Sequence, residues 1–307
     1  MARWHRLLLV SLVAGLTACL PQVIPPTPTP LPPTPTLTPT PAYAPLSAID
    51  VLNAEYMLLD FSGNLRTIRL NDGTYQSGND PTQPDFWSVR LGEMMAFGDL
   101  NGDGLGDAVA TIAENYGGTG VFVNLVALLN ENGLPRHVAS YFIDDRPILE
   151  TLTLQDGTIR LAATIHGPND PGCCPTQPVT RDLRLVNSNL MLIRATSQTP
   201  GGQERRIDLD EPTDNTTLST RALHLRGRVT IAPFENTLRY RLTTAQGTTL
   251  LVGPLMVEAP DLGAPGTFET TLDLQNLPGG LYYLEIADLS AADGSILALT
   301  TARLNLP

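Results

Sequence analysis

Apolar and polar residues alternate in short runs along most of this chain, and turn formers bound the runs. Val121–Leu129 leads into the polar turn Asn130-Glu131-Asn132-Gly133, and His137–Ile143 follows as a second run. Ile148–Leu154 and Thr158–Ile165 flank Gln155-Asp156-Gly157, a short hairpin signal. Val179–Leu185 and Leu190–Arg194 enclose another polar turn. Leu223–Ile231, Leu238–Thr243, Thr248–Val257, Thr267–Leu274, Leu281–Leu289 and Ile296–Leu304 repeat the pattern, with turns at Gln246-Gly247, Pro278-Gly279-Gly280 and Asp293-Gly294. Nowhere does a 3.6-residue period persist beyond a few turns, and Ser47–Ala54 is a brief helix candidate. The pattern predicts a mainly β protein.

The first residues break the pattern. Met1–Arg6 carries Arg3 and Arg6 without an acid, and Leu7–Leu16 is a mostly apolar run. Such a run has the length of a signal-peptide core and is short of the roughly 20 residues a bilayer span needs. Leu16-Thr17-Ala18-Cys19 then resembles the lipobox of bacterial lipoproteins. That resemblance implies a signal peptide over 1–18, cleavage before Cys19, and lipid on the Cys19 sulfur. The other reading is an ordinary secretory cut that leaves a cysteine. Two or three acyl chains would hold the protein durably at the outer face of a bacterial membrane. Residues 19–45 form the lipidated cysteine and a Pro/Thr-rich linker. Proline at nearly alternate positions of Pro21–Pro45 excludes helix and sheet. The segment is expected to be a disordered, polyproline-II spacer reaching roughly 80 Å.

From Leu46 the composition is globular, and the length suggests two domains. Turn formers between Thr196 and Glu204 place the boundary, so 46–196 is expected as a β-rich domain, 197–222 as an inter-domain linker and 223–307 as a second domain. The strand count of the second domain suits an immunoglobulin-like sandwich. Gly227-Arg228-Val229, Ala232–Asn236, Gly266–Thr271 and Asp293-Gly294 resemble the immunoglobulin-like domain of bacterial spore-germination proteins. The resemblance implies a fold and an envelope location and brings no catalytic residues.

Charge narrows the partners. The formal net charge is −12, and all 19 basic residues are arginine. Absence of lysine excludes Schiff-base chemistry and a P-loop. An acidic chain without a basic run is a poor ligand for phosphate backbones, so no nucleic-acid partner is expected.

Two motifs carry candidate chemistry. In Phe97–Asp107 (FGDLNGDGLGD), Asp99, Asn101, Asp103 and Asp107 occupy positions 1, 3, 5 and 9 of a loop, and Leu105 offers its carbonyl at 7. Gly104 supplies the sharp turn at position 6, but Ala110 stands where an EF-hand carries glutamate. The stretch resembles the calcium loop of FG-GAP and VCBS-type repeats, which implies Ca2+ between two strands. An Asp-Gly-rich turn that binds nothing is the alternative. The second motif is His166–Pro175, with Cys173 and Cys174 adjacent. They are expected either as a vicinal disulfide or as two free thiols, and a zinc site with His166 is disfavoured by their adjacency. Val51–Tyr56, the Asn71-Asp72-Gly73 turn and both motifs together resemble a family of uncharacterised bacterial envelope proteins.

Catalytic signatures are missing: there is no Gly-x-Ser-x-Gly elbow and no His-Glu-x-x-His. His137 and His224 read as strand residues, and Asp144-Asp145 as a solvated turn rather than a carboxylate pair. The chain therefore reads as a non-enzymatic binding or structural module of the cell envelope, anchored to membrane through Cys19, with a wall polysaccharide or envelope protein as partner. A hydrolase of envelope polymers and a thiol-redox-sensing lipoprotein are the alternatives.

Overall fold

The computed structural model describes residues 43–306. Cys19 and most of the Pro/Thr-rich tract lie outside them. One helical turn, α1 (Ala48–Leu52), opens this part. The Ser47 N–H and hydroxyl both donate to the Asp50 carboxylate, which caps the turn. Fully buried Tyr56 donates its hydroxyl to the Val51 carbonyl at 2.7 Å and fixes α1 onto the hairpin β1 (Glu55–Leu59) and β2 (Leu65–Arg69). A five-stranded antiparallel meander follows: β3 (Thr74–Ser77), β4 (Trp87–Gly98), β5 (Asp107–Asn115), β6 (Phe122–Glu131) and β7 (Leu134–Asp145).

Strand β5 sets the layering. Its small, unalternating sequence is buried along almost its whole length, as befits a strand covered on both faces. Ala108, Ala110 and Ile112 pack with Tyr56, Ile68 and Trp87 beneath α1 and the hairpin. Val109 faces the other way and joins Leu125 and Ala127. A second meander covers that side: β8 (Ile148–Gln155), β9 (Thr158–Ile165), β10 (Gln177–Val186) and β11 (Asn189–Gln198), with Ile159, Leu161 and Leu183 turned inward. The first domain is thus three layers around a central sheet. Asp156 and Gly157 both take positive φ in the tight β8–β9 turn.

Residues 197–222, expected as a linker, contain β12 (Glu204–Arg205), β13 (Ile207–Glu211) and β14 (Thr216–Thr217). The remainder is β15 (Ala222–Val229), a short 3-10 turn, β16 (Thr237–Thr244), β17 (Thr249–Met256), β18 (Gly266–Asp273), β19 (Gly280–Leu289) and β20 (Ile296–Leu306). Sheet β13-β15-β18 packs against β17-β16-β19-β20 through Leu223, Leu225, Phe268, Leu242, Leu284 and Leu304. Gly227 faces Phe268 across the β15–β18 ladder, and a Cβ there would fall 2.3 Å from the Phe268 ring and 2.5 Å from the Asp208 carbonyl. Only glycine fits that approach. Strand β20 also pairs with β11 at Arg194↔Thr300 and Ala195↔Leu299. One ten-stranded sheet therefore runs from the first domain into the second, packed at the seam by Ala195, Ala287 and Leu299.

Candidate functional site

The hairpin β1–β2 does not lie flush on the central sheet. Between it and the β6–β7 end of that sheet runs a groove of about 730 Å³, walled by Met57, Leu59, Phe61, Leu65, Phe122 and Phe142. Phe61 and Phe142 are 78% and 54% exposed. Exposed large apolar side chains scattered singly are ordinary, but a contiguous set lining a concavity marks a binding surface. Tyr116 is the hub of the aromatic wall, with ring centroids 5.8 Å from Phe61 and 5.9 Å from Phe122. Its inner side stacks on Trp87 at 6.2 Å, with the planes 10° apart.

Polar groups under this wall are engaged with one another. Buried Glu114 accepts from Trp87 Nε1 at 3.0 Å, the Tyr116 hydroxyl at 2.9 Å and Asn124 Nδ2 at 2.8 Å. Burial raises its pKa against those three donors. Burial likewise raises that of Tyr116, assisted by the Glu114 charge. His137 Nδ1 accepts the Met57 N–H at 3.1 Å, which places the ring proton on Nε2, facing the Ala139 carbonyl at 3.0 Å and Ser140 Oγ at 3.1 Å. Burial lowers its pKa to about 4, partly offset by the Ala139 bond. At the groove mouth, Asp60 accepts the turn amides of Ser62 and Asn64, bonds that outweigh desolvation and lower its pKa. Two carboxylates and a histidine thus line one groove, yet each is held as part of the scaffold. Nothing local in the sequence marks this site, because its walls come from residues far apart in the chain.

The acidic loop joins β4 to β5, strand to strand as expected. Gly102 and Gly104 take positive φ and donate to the two Asp99 oxygens at 2.7 and 2.8 Å. Asn101 Oδ1 accepts the Asp103 N–H at 3.0 Å, and Asp103 Oδ1 accepts that of Leu105 at 2.8 Å. Asp99, Asn101 and Asp103 therefore share the loop. Asp107 does not join them: it is fully buried and accepts the amides of Leu100 and Asn130, both at 2.8 Å. Desolvation raises its pKa over those bonds. Its place is at the root of the hairpin, where Asn130 Nδ2 in turn holds the Ala44 carbonyl. Among the described residues, no group of three or more His, Cys, Asp or Glu side chains is placed to hold a metal ion. A cation here would rely on the free lone pairs of Asp99, Asn101 and Asp103 with the Leu105 carbonyl.

Cys173 and Cys174 are joined to each other, exposed on the β9–β10 loop. Asp170 braces that loop by accepting the amides of Gly167 and Thr176 at 2.8 and 2.7 Å. Two ties connect it to the end of β7. Arg146 donates to the Gly172 carbonyl and pairs with Asp145, and His166 Nδ1 lies 2.8 Å from Asp144 Oδ2. Asp144 and Asp145, neighbours on a strand, therefore serve different partners and form no carboxylate pair. Asp145 also accepts the Val121 amide at 2.8 Å, next to Phe122 in the groove wall. In the second domain, His224 stands between Glu211 at 3.1 Å and Glu269 at 2.9 Å, and those two bonds raise its pKa.

Fold and sites together define a mainly β protein with an immunoglobulin-like domain at its C-terminal end. Residues 206–295 match the family model of the immunoglobulin-like domain of bacterial spore germination. The match begins upstream of Leu223, inside the expected linker, and so includes β13. No curated protein matches the chain. Among the described residues, no helix is long and apolar enough to cross a membrane.

Proposed function

We propose that this chain is a non-enzymatic binding module of the bacterial cell envelope, held by lipid on Cys19 and raised on its Pro/Thr-rich spacer. The groove between β1–β2 and β6–β7 carries the reading. Its walls offer aromatic and aliphatic faces, and its ionisable groups are already bonded internally. A ligand there is gripped by apolar contact, the mode suited to an extended segment of an envelope protein. A hydrolase of envelope polymers needs a carboxylate or imidazole with a free lone pair turned to substrate. Glu114 and His137 have their hydrogen-bonding atoms engaged internally, and Asp60 is taken up by the Ser62 and Asn64 amides and faces Arg66, which favours binding over catalysis. Calcium on Asp99, Asn101, Asp103 and the Leu105 carbonyl, without Asp107, and redox cycling of Cys173–Cys174 stand as additions to this reading.

Trp87 makes the test direct. Once 1–18 is removed with Trp4, it is the sole tryptophan of the chain, and it stacks on the groove-lining Tyr116. Unlipidated mature protein (Cys19→Ser) would be titrated with solubilised envelope protein and, separately, with cell-wall polysaccharide fragments. A saturable change in Trp87 emission, weakened roughly tenfold or more by Phe61→Ser and Phe142→Ser, is the expected outcome with protein. Saturation by polysaccharide alone would replace the ligand class, and no saturation by either would sink the groove as the binding site.

A further inference from the structure

A second cavity, of about 480 Å³, opens beside the seam where β11 and β20 pair over two residue pairs. Cavities at domain junctions are common ligand sites. Arg184, Arg194 and Arg303 reach it from β10, β11 and β20, against Asp182 and Asp214. In a chain of net charge −12, the arginines here outnumber the aspartates by one. Asp214 is held between Arg303 at 2.8 Å and Arg184 at 3.2 Å. Desolvation pushes its pKa up, but the Arg303 bonds prevail and bring it to about 2. Arg194 is loosely paired, 3.5 Å from Asp208.

The floor supplies an independent observation. Tyr283 is only 6% exposed, lines this cavity, and its hydroxyl has no hydrogen-bond partner among the described residues. Its ring is packed but its hydroxyl opens on the cavity, where an acceptor can reach it. Burial raises its pKa, so it remains a donor. Asp182 Oδ1, by contrast, is closed off from the cavity and faces Arg160 at 3.3 Å. A phenol donor and the unused N–H groups of three arginines call for an acceptor of negative charge.

We infer that this seam cavity binds an oxyanion, phosphate or carboxylate, which meets Tyr283, Arg194 and the free edges of Arg184 and Arg303. The site is separate from the groove and lies on the sheet that unites the domains, so its occupancy would brace one domain against the other.

The test is calorimetry of the unlipidated mature chain at low ionic strength, where exposed charges are least screened, with inorganic phosphate, glycerol 3-phosphate and glucuronate. At least one is expected to bind saturably. Response to glycerol 3-phosphate alone assigns phosphate, and response to glucuronate alone assigns a carboxylate. Tyr283→Phe keeps the packed ring and loses only the unpartnered hydroxyl. It should weaken binding roughly fivefold without lowering the melting temperature, and Arg194→Gln should weaken it at least as much. Saturation by none of the three probes, or binding unchanged in both variants, would overturn the assignment.

Discussion

The main-chain N–H of Met57 donates to Nδ1 of His137 across 3.1 Å, a bond between positions eighty residues apart that ties β1 to β7 at the base of the groove. It needs a neutral imidazole, and burial holds His137 in that form by lowering its pKa to about 4. A base whose folded pKa is depressed contributes most above its unfolded value of 6.5 and progressively less as pH falls toward 4, since only the unfolded chain takes up the proton. The loss is roughly 3 kcal/mol over that window. Urea unfolding of wild type and His137→Gln at pH 7 and pH 4 checks this, because titrations common to both cancel in the difference. Wild type should lose that amount relative to the variant, and a pH-independent difference would refute it.

Glu114 makes a contrasting prediction. Its two oxygens satisfy Trp87, Tyr116 and Asn124 together, so Glu114→Ala strands three donors beneath the groove wall. The expected cost is about 3–5 kcal/mol, with a shift in Trp87 emission. Glu114→Gln keeps one acceptor and should cost about half as much. A Glu114→Ala protein as stable as wild type would show that the network carries little of the fold.

How much of this was legible in the chain follows from which strands alternate. Thr158–Ile165 is β9 to the residue, and the six strand-like runs after Leu223 correspond to β15 to β20 within two residues at either end. These strands have one wet and one dry face, or clear turns between them. Strand β5 showed only as the strand after the acidic loop, without bounds, because Asp-Ala-Val-Ala-Thr-Ile-Ala-Glu-Asn is dry on both faces and built from small residues, so it has no period. Strand β4, broken by Gly92 and Glu93, showed only as the strand before that loop, for want of an unbroken run. Strands β12 and β14 are two residues each, too short to leave a pattern. The acidic loop and the Cys-Cys turn were visible because each is a local motif. The groove was not, since Phe61, Tyr116 and Phe142 become neighbours only when a hairpin folds over a distant sheet edge.

The calcium proposal divides Asp103 from Asp107. Asp103 lies on the open loop, whereas Asp107 braces the amides of Leu100 and Asn130 inside the hairpin root. Asp107→Asn should therefore cost about 1–3 kcal/mol in EDTA as well as in calcium, since an amide can accept from only one of those two sides. Asp103→Ala should leave the EDTA melt close to wild type and abolish any calcium-dependent rise. Extracellular calcium modules commonly bind near 10⁻⁴–10⁻³ M, so a series to several millimolar is sufficient. A wild-type melt insensitive to calcium over that range would reduce the loop to a turn.

Cys173 and Cys174 close the smallest ring two cysteines can make. The conformational freedom such a ring removes from the unfolded chain is worth about 1 kcal/mol, against about 3 for a fifteen-residue loop. The double variant Cys173→Ser/Cys174→Ser should thus melt only slightly below wild type. Its effect should appear locally instead. The loop holds Arg146 through the Gly172 carbonyl, Arg146 pairs with Asp145, and Asp145 accepts the Val121 amide beside Phe122. Reduction by a dithiol, which leaves two thiols here and a disulfide on the reductant, should speed hydrogen exchange at Val121 while leaving the Leu125 amide, deep in the central sheet, unchanged. Mass measurement of alkylated protein supplies the chemical control: no label before reduction and two labels after. Labelling without reductant would mean the thiols are free, and unchanged exchange at Val121 after complete reduction would mean that the loop does not reach the groove.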